Sequence, residues 1–129
     1  MNIQFLSELY TTPVPRDIKA KWLREGTDKV ALVQDFVVQI DKKVIEVPEG
    51  YVTDGSSIPR ILWPLFSPWY TEARRASCIH DYIYSHLYKT YTRKFADEAF
   101  KAIMLKDGSS KLVASIFYRS VRLFGRGGW

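Results

Sequence analysis

The spacing of apolar residues changes once along this chain, from a period near two to one near 3.6, and the change separates a strand-forming half from a helical half. "DKVALVQDFVVQI", Asp28 to Ile40, is rich in β-branched residues and reads as one or two strands. "KKVIEVP", ending at Pro48, reads as another, with "QIDKK" supplying a tight reversal between them. From Glu72 onward Ala76, Ile79, Ile83 and Leu87 fall on one helical face, and Thr71 is the expected N-cap. A second helix is predicted from Arg93 to Leu105, with Phe95, Ala99, Ile103 and Met104 inward. "KDGSS" ends it: Gly108 suits a left-handed backbone, and Ser109 or Ser110 the next cap. The third helix runs from Lys111 to Phe124 with Leu112, Ile116, Phe117, Val121 and Phe124 inward.

The predicted fold class is α+β, a small N-terminal antiparallel sheet packed on three C-terminal helices in one domain spanning 1–129. Residues 1–26, interrupted by "TTPVPRD", read as irregular apart from a short helix at about 17–24 that Asp17 can cap. The sheet occupies 28–50, a motif and aromatic loop 51–70, and the helical part 71–125.

Composition narrows the classes of function. The single cysteine, Cys78, excludes an intramolecular disulfide framework and any cysteine-rich metal site, and suits a reducing compartment. "MNIQFLSELY" carries an acid and no basic run, so it lacks the build of a signal peptide, and no apolar run approaches a transmembrane length. A soluble protein is expected. Nineteen basic against fourteen acidic residues leave a net charge of +5, and from Lys111 onward Arg119, Arg122 and Arg126 meet no acid. That asymmetry permits a nucleic-acid or acidic-protein partner, while a solvated basic helix is the plainer account. A nucleic-acid stripe would have to join these arginines to Lys19, Lys21 and Arg24.

Two polar stretches carry the candidate chemistry. In "YVTDGSSIPR", Asp54 fits a structural Asx-turn or a carboxylate with a catalytic, metal or substrate role, with Ser56 and Ser57 as donors. Neither serine sits in a G-x-S-x-G elbow. Arg60 could clamp an anion, and Trp63 opens an aromatic loop that either packs over the sheet or forms a ligand platform. In "CIHDYIY", His80 and Asp81 point about 100 degrees apart on a helix. His80 shares its face with Ala76, Tyr84 and Leu87, which fits either a satisfied core histidine or a general base.

Asp97, four residues after Arg93, either forms an intrahelical pair with it or faces His80 and orients its far ring nitrogen. His86 reads as a solvated residue at a helix end. Asp81 and Asp54 are candidate oxygen ligands for a divalent cation, although no EF-hand loop or H-E-x-x-H helix is present. His80, Asp81 and Asp97 are expected to meet near the Asp54 turn.

Pro48 with Gly50, Thr53 to Arg60 (T-D-G-x-S-I-P-R), Trp63, His80-Asp81 with Tyr84, Arg93 with Asp97, and Tyr118 to Gly125 (Y-x-x-V-R-x-F-G) occur in that order. The set resembles a family of small phage and prophage proteins over roughly residues 44 to 125. The resemblance implies a phage-encoded protein of the host cytoplasm, with virion association a further option. H-D-x-x-Y is also similar to the active-site helix of secreted phospholipases A2. That likeness implies that His80 activates water, Asp81 binds calcium and Asp97 orients His80. The flanking cysteines, apart from Cys78, and the glycine-rich calcium loop are missing, so the analogy is one of local mechanism.

The expected function is a small phage-encoded hydrolase with His80, Asp97, Asp81 and Asp54 as catalytic candidates. Arg60, Ser56, Ser57, Trp63 and Tyr84 would contact substrate. The alternative is a non-catalytic accessory protein that binds a host or virion protein, and the third option is nucleic-acid binding through the basic last helix.

Overall fold

The computed structural model describes residues 1–13, 30–53 and 71–124. Within them lie the strands β1 (Ile3–Phe5), β2 (Thr11–Pro13), β3 (Val30–Leu32), β4 (Phe36–Ile40), β5 (Lys43–Val47) and β6 (Val52–Thr53). They are followed by the helices α1 (Arg74–His86), α2 (Arg93–Lys106) and α3 (Lys111–Phe124).

Alternation builds the first sheet. Phe36, Val38 and Ile40 of β4 and Ile45 and Val47 of β5 turn into the core, while Val37 and Gln39 stay half-buried. The β4–β5 hairpin closes through Asp41 and Lys42, with Ile40 opposite Lys43. Asp41 takes a left-handed φ of 55°, which a short polar side chain tolerates. Its carboxylate accepts from the Asn2 amide at 2.7 Å and its own amide donates to the Asn2 carbonyl at 2.8 Å. Those bonds draw β1 onto β4, giving the order β1-β4-β5.

A second antiparallel sheet, β2-β3-β6, places Thr53 opposite Val30 and brings the start of the T-D-G motif toward the helices. The α+β architecture is as the sequence predicts, with two small sheets in place of one. The first 26 residues, which read as irregular, contribute β1 and β2. Three-residue strands are too short to display an alternation. The short helix expected near Asp17 lies outside the described residues.

Caps set the helix limits. A 3₁₀ turn at Thr71–Ala73 leads into α1, whose N-cap position is Ala73, two residues after the expected Thr71. Thr92 caps α2 by accepting from the Phe95 amide at 3.1 Å. Gly108 takes a φ of +98° after α2, and Ser110 caps α3 by accepting from the Val113 amide at 3.2 Å.

Helix α2 packs on both α1 and α3. Ala76 on α1 and Ala96, Ala99, Phe100, Ile103 and Met104 on α2 are all fully buried, and Phe100 lies against His80 of α1 and Phe117 of α3. Two inner-face expectations change. Phe95 is only partly buried and stacks on Tyr91, and Phe100 takes the deep position. Leu112 is 72% exposed, while Ala114, Phe117 and Val121 are buried. α3 carries apolar residues around much of its circumference, so periodicity alone chose the wrong edge of its inner face.

Candidate functional site

The His80 ring and the Asp97 carboxylate meet across the α1–α2 interface, with Nε2 to Oδ1 at 2.6 Å. Ring and carboxylate are 2% and 0% exposed. Of the two arrangements open to Asp97 in the sequence, both occur: it faces His80, and Arg93 Nε stands 3.9 Å from its Oδ2. Two further donors complete the carboxylate. Tyr84, one turn after His80, donates its hydroxyl to Oδ1 at 2.8 Å, and Arg122 of α3 donates Nη1 to Oδ2 at 2.9 Å.

The charge state of this cluster follows from competing effects. Burial alone pushes the Asp97 carboxyl up, but hydrogen bonds from His80, Tyr84 and Arg122 outweigh it and hold the group below its ordinary 3.8. Asp97 is therefore an ionised acceptor, and the His80 nitrogen facing it carries a proton. Burial, reinforced by the bond to Asp97, pushes the Tyr84 phenol up despite the opposing Arg93 bond, so Tyr84 remains a neutral donor. The bond to Asp97 likewise raises Arg122.

Arg93 ties the cluster to the end of α3. Its Nη2 donates to the Val121 carbonyl at 3.2 Å and to the Arg122 carbonyl, and its Nε donates to the Tyr84 hydroxyl at 3.2 Å. These are carbonyls of the last helical turn, which lack intrahelical partners. Phe100 closes one side, edge-on to the His80 ring at 5.3 Å.

Asp81 points elsewhere. Its Oδ2 accepts from the Thr53 hydroxyl at 2.8 Å, linking α1 to β6. Beyond it an exposed group forms at the end of α1, where His86 stacks on Tyr82 at 5.0 Å and Tyr51 packs edge-on to both. Ser85 bonds His86 Nδ1 at 2.7 Å. His86 thus sits at the helix end in a solvated setting, as its position suggests.

The structure brings together His80, Asp97 and Tyr84, and directs Asp81 to Thr53. Asp54, Ser56, Ser57, Arg60 and Trp63 lie outside the described residues, and with them the joint site at the Asp54 turn and the aromatic loop. Sequence reading did not place Arg122 in the site. The signal was an arginine within Y-x-x-V-R-x-F-G, read there as one charge of a basic helix. Its guanidinium turns to Asp97, unlike the exposed Arg119. Among the described residues no three His, Cys, Asp or Glu side chains converge as a metal site, so a cation at Asp81 would need ligands from beyond them. Also among the described residues, no helix is long and apolar enough to cross a membrane.

These features define an α+β domain whose three C-terminal helices are joined by a buried histidine–carboxylate–arginine network. The chain belongs to the family described as "Protein of unknown function (DUF1353)", whose model matches residues 30–121. No curated protein and no solved structure matches it.

Proposed function

We propose that the protein is a small hydrolase in which His80 is the general base and Asp97 the residue that orients it. The observation that carries this reading is the 2.6 Å contact between His80 Nε2 and the ionised Asp97. With Nε2–H committed to the carboxylate, proton transfer runs through Nδ1, which takes a proton from water as the water oxygen attacks the carbonyl carbon or phosphorus of an ester, phosphoester or amide, and returns it to the departing oxygen or nitrogen as that bond breaks. The similarity of H-D-x-x-Y to a phospholipase A2 helix supports the same assignment. Arg60 stabilises the developing negative charge, and Ser56, Ser57 and Trp63 line the substrate. Asp81 and Asp54 are the residues that would hold a divalent cation. The motif set supports a phage-encoded protein acting in the host cytoplasm.

The test is product release from nitrophenyl esters, a nitrophenyl phosphodiester and nitroanilides, with and without calcium or magnesium. Wild type is expected to turn over one class, and His80→Gln to lose about 10²- to 10⁴-fold in kcat, the usual contribution of a positioned base, while retaining a cooperative melt. No turnover in any class, or an H80Q rate equal to wild type, would sink the reading.

The 2% exposure of His80 supports a second reading. In it the network fixes the helix geometry of a non-catalytic phage accessory protein that binds a host or virion protein. H80Q would then lower the melting temperature and change no rate.

A further inference from the structure

Arg122 reaches Asp97 from the side opposite the histidine. Asp97 Oδ1 takes His80 and Tyr84 from α1, and Oδ2 takes Arg122 from α3. The fourth group facing the carboxylate, Arg93, lies 3.9 Å from Oδ2 on the same helix as Asp97. A buried carboxylate held only by an imidazole and a phenol would be a charge without a permanent counter-charge. Its neighbours would be drawn toward whichever arrangement supplied a proton. An arginine stays charged at any working pH, so it neutralises Asp97 without giving up a proton.

The position of Arg122 is itself fixed. Arg93 of α2 donates to the Val121 and Arg122 carbonyls, closing the frayed end of α3 and setting where the Arg122 side chain departs. The connections form a loop: Arg93 on α2 holds α3, Arg122 on α3 holds Asp97, and Asp97 holds His80 on α1. The family is described as one of unknown function, so membership gives no role to this side chain.

We propose that Arg122 is a positioning residue for His80: by neutralising Asp97 it lets the carboxylate act as a fixed acceptor that holds the imidazole in the Nε2–H form with Nδ1 as the basic nitrogen. Arg93 serves the same end one step removed, by anchoring the α3 turn. The catalytic consequence rests on the hydrolase reading. The ring tautomer does not, which separates the two failures.

The experiment is side-chain ¹⁵N NMR of His80 in the full chain at pH 8.5, where the two nitrogen shifts distinguish the tautomers. Wild type is compared with Arg122→Lys, which keeps the charge, and Arg122→Gln, which keeps a donor and removes it. Wild type and R122K are expected to show the neutral Nε2–H form, and R122Q, whose less neutralised Asp97 draws a further proton onto the ring, a fraction with both nitrogens protonated. In turnover assays R122Q is expected to lose on the order of tenfold in kcat with KM unchanged, a fraction of what a positioned base contributes.

An R122Q spectrum with both nitrogen shifts as in wild type overturns the proposal whatever the assays give. Wild type without turnover but with the expected change in ring protonation in R122Q overturns the hydrolase reading and leaves the role of Arg122 standing. Should R122Q fail to fold, Arg93→Met carries the test: it keeps the Arg122 side chain and removes the bonds that anchor its helix turn, together with the Arg93 charge near Asp97 and the donor to Tyr84. A smaller gain of the doubly protonated ring is then expected, and nitrogen shifts as in wild type overturn the proposal.

Discussion

The Tyr84 hydroxyl donates to Asp97 Oδ1 at 2.8 Å, the same oxygen that His80 Nε2 approaches at 2.6 Å. One helical turn separates the two donors on α1, so a single carboxylate on α2 can reach both. The arrangement also lays the two rings together, with centroids 4.1 Å apart. Tyr84→Phe keeps the ring and removes only the hydroxyl, which is at once the donor to Asp97 and the acceptor for Arg93. Because both of these bonds are to charged groups, the expected loss is about 1.5–3 kcal/mol in urea unfolding. A Y84F variant as stable as wild type would show that the hydroxyl is not part of the network in solution.

The depressed carboxyl of Asp97 makes stability depend on acid. Burial opposes ionisation, and the bonds from His80, Tyr84 and Arg122 overcome it, so the folded group ionises below its ordinary 3.8. A group with a lowered folded value binds fewer protons folded than unfolded in the range between the two. Its contribution is therefore present in full above the ordinary carboxylate range and is lost as pH falls below about 4. Unfolding free energies of wild type and Asp97→Asn, measured from pH 7 down to 3, are expected to differ most at neutrality and to converge on acidification. A gap that widens toward pH 3 would give the shift the opposite sign.

Cys78 lies two residues before His80 and is 1% exposed. Burial, with the Asp81 charge adding to it, pushes its thiol up to about 12. Only the thiolate is a useful nucleophile, so the native protein should be inert toward iodoacetamide at pH 8 over the time in which the denatured chain is fully alkylated. Native modification as fast as denatured modification would mean that this part of α1 opens readily.

How much of this was legible in the sequence differs by element. The β4 alternation and the positions of α1, α2 and α3 follow from local spacing, and the caps at Thr92 and Ser110 use side chains within a few residues of the backbone they bond, whereas the Asp41 carboxylate bonds the Asn2 amide 39 residues away. The His80–Asp97 contact was legible as one of two options, because both residues lie on predicted helices joined by a short connection. Arg122 to Asp97 and Thr53 to Asp81 span 25 and 28 residues. Such pairings depend on how elements dock, and a charge near an apolar helix end has the same local signature whether it faces water or a buried carboxylate. The rotation of α3 was legible at Phe117 and Val121 and missed at Leu112: with apolar side chains spread over so wide an arc, only the partner helix decides which edge is inside.

That rotation yields the sharpest contrast in the helical half. Leu112 and Phe117 lie on the same helix and both look like core residues by type, yet one is 72% exposed and the other fully buried. Phe117 stacks with Phe100 of α2 at 6.1 Å, and removing its ring would leave a cavity between the two helices. Phe117→Ala is expected to cost about 3–5 kcal/mol, enough to unfold much of a marginally stable domain. Leu112→Ser removes a side chain already in water and is expected to change stability by less than about 0.5 kcal/mol. Urea titrations of the two variants at equal temperature make the comparison. A large loss for L112S would mean that this face of α3 is covered in solution, and its concentration dependence would show whether the cover is a second copy of the chain.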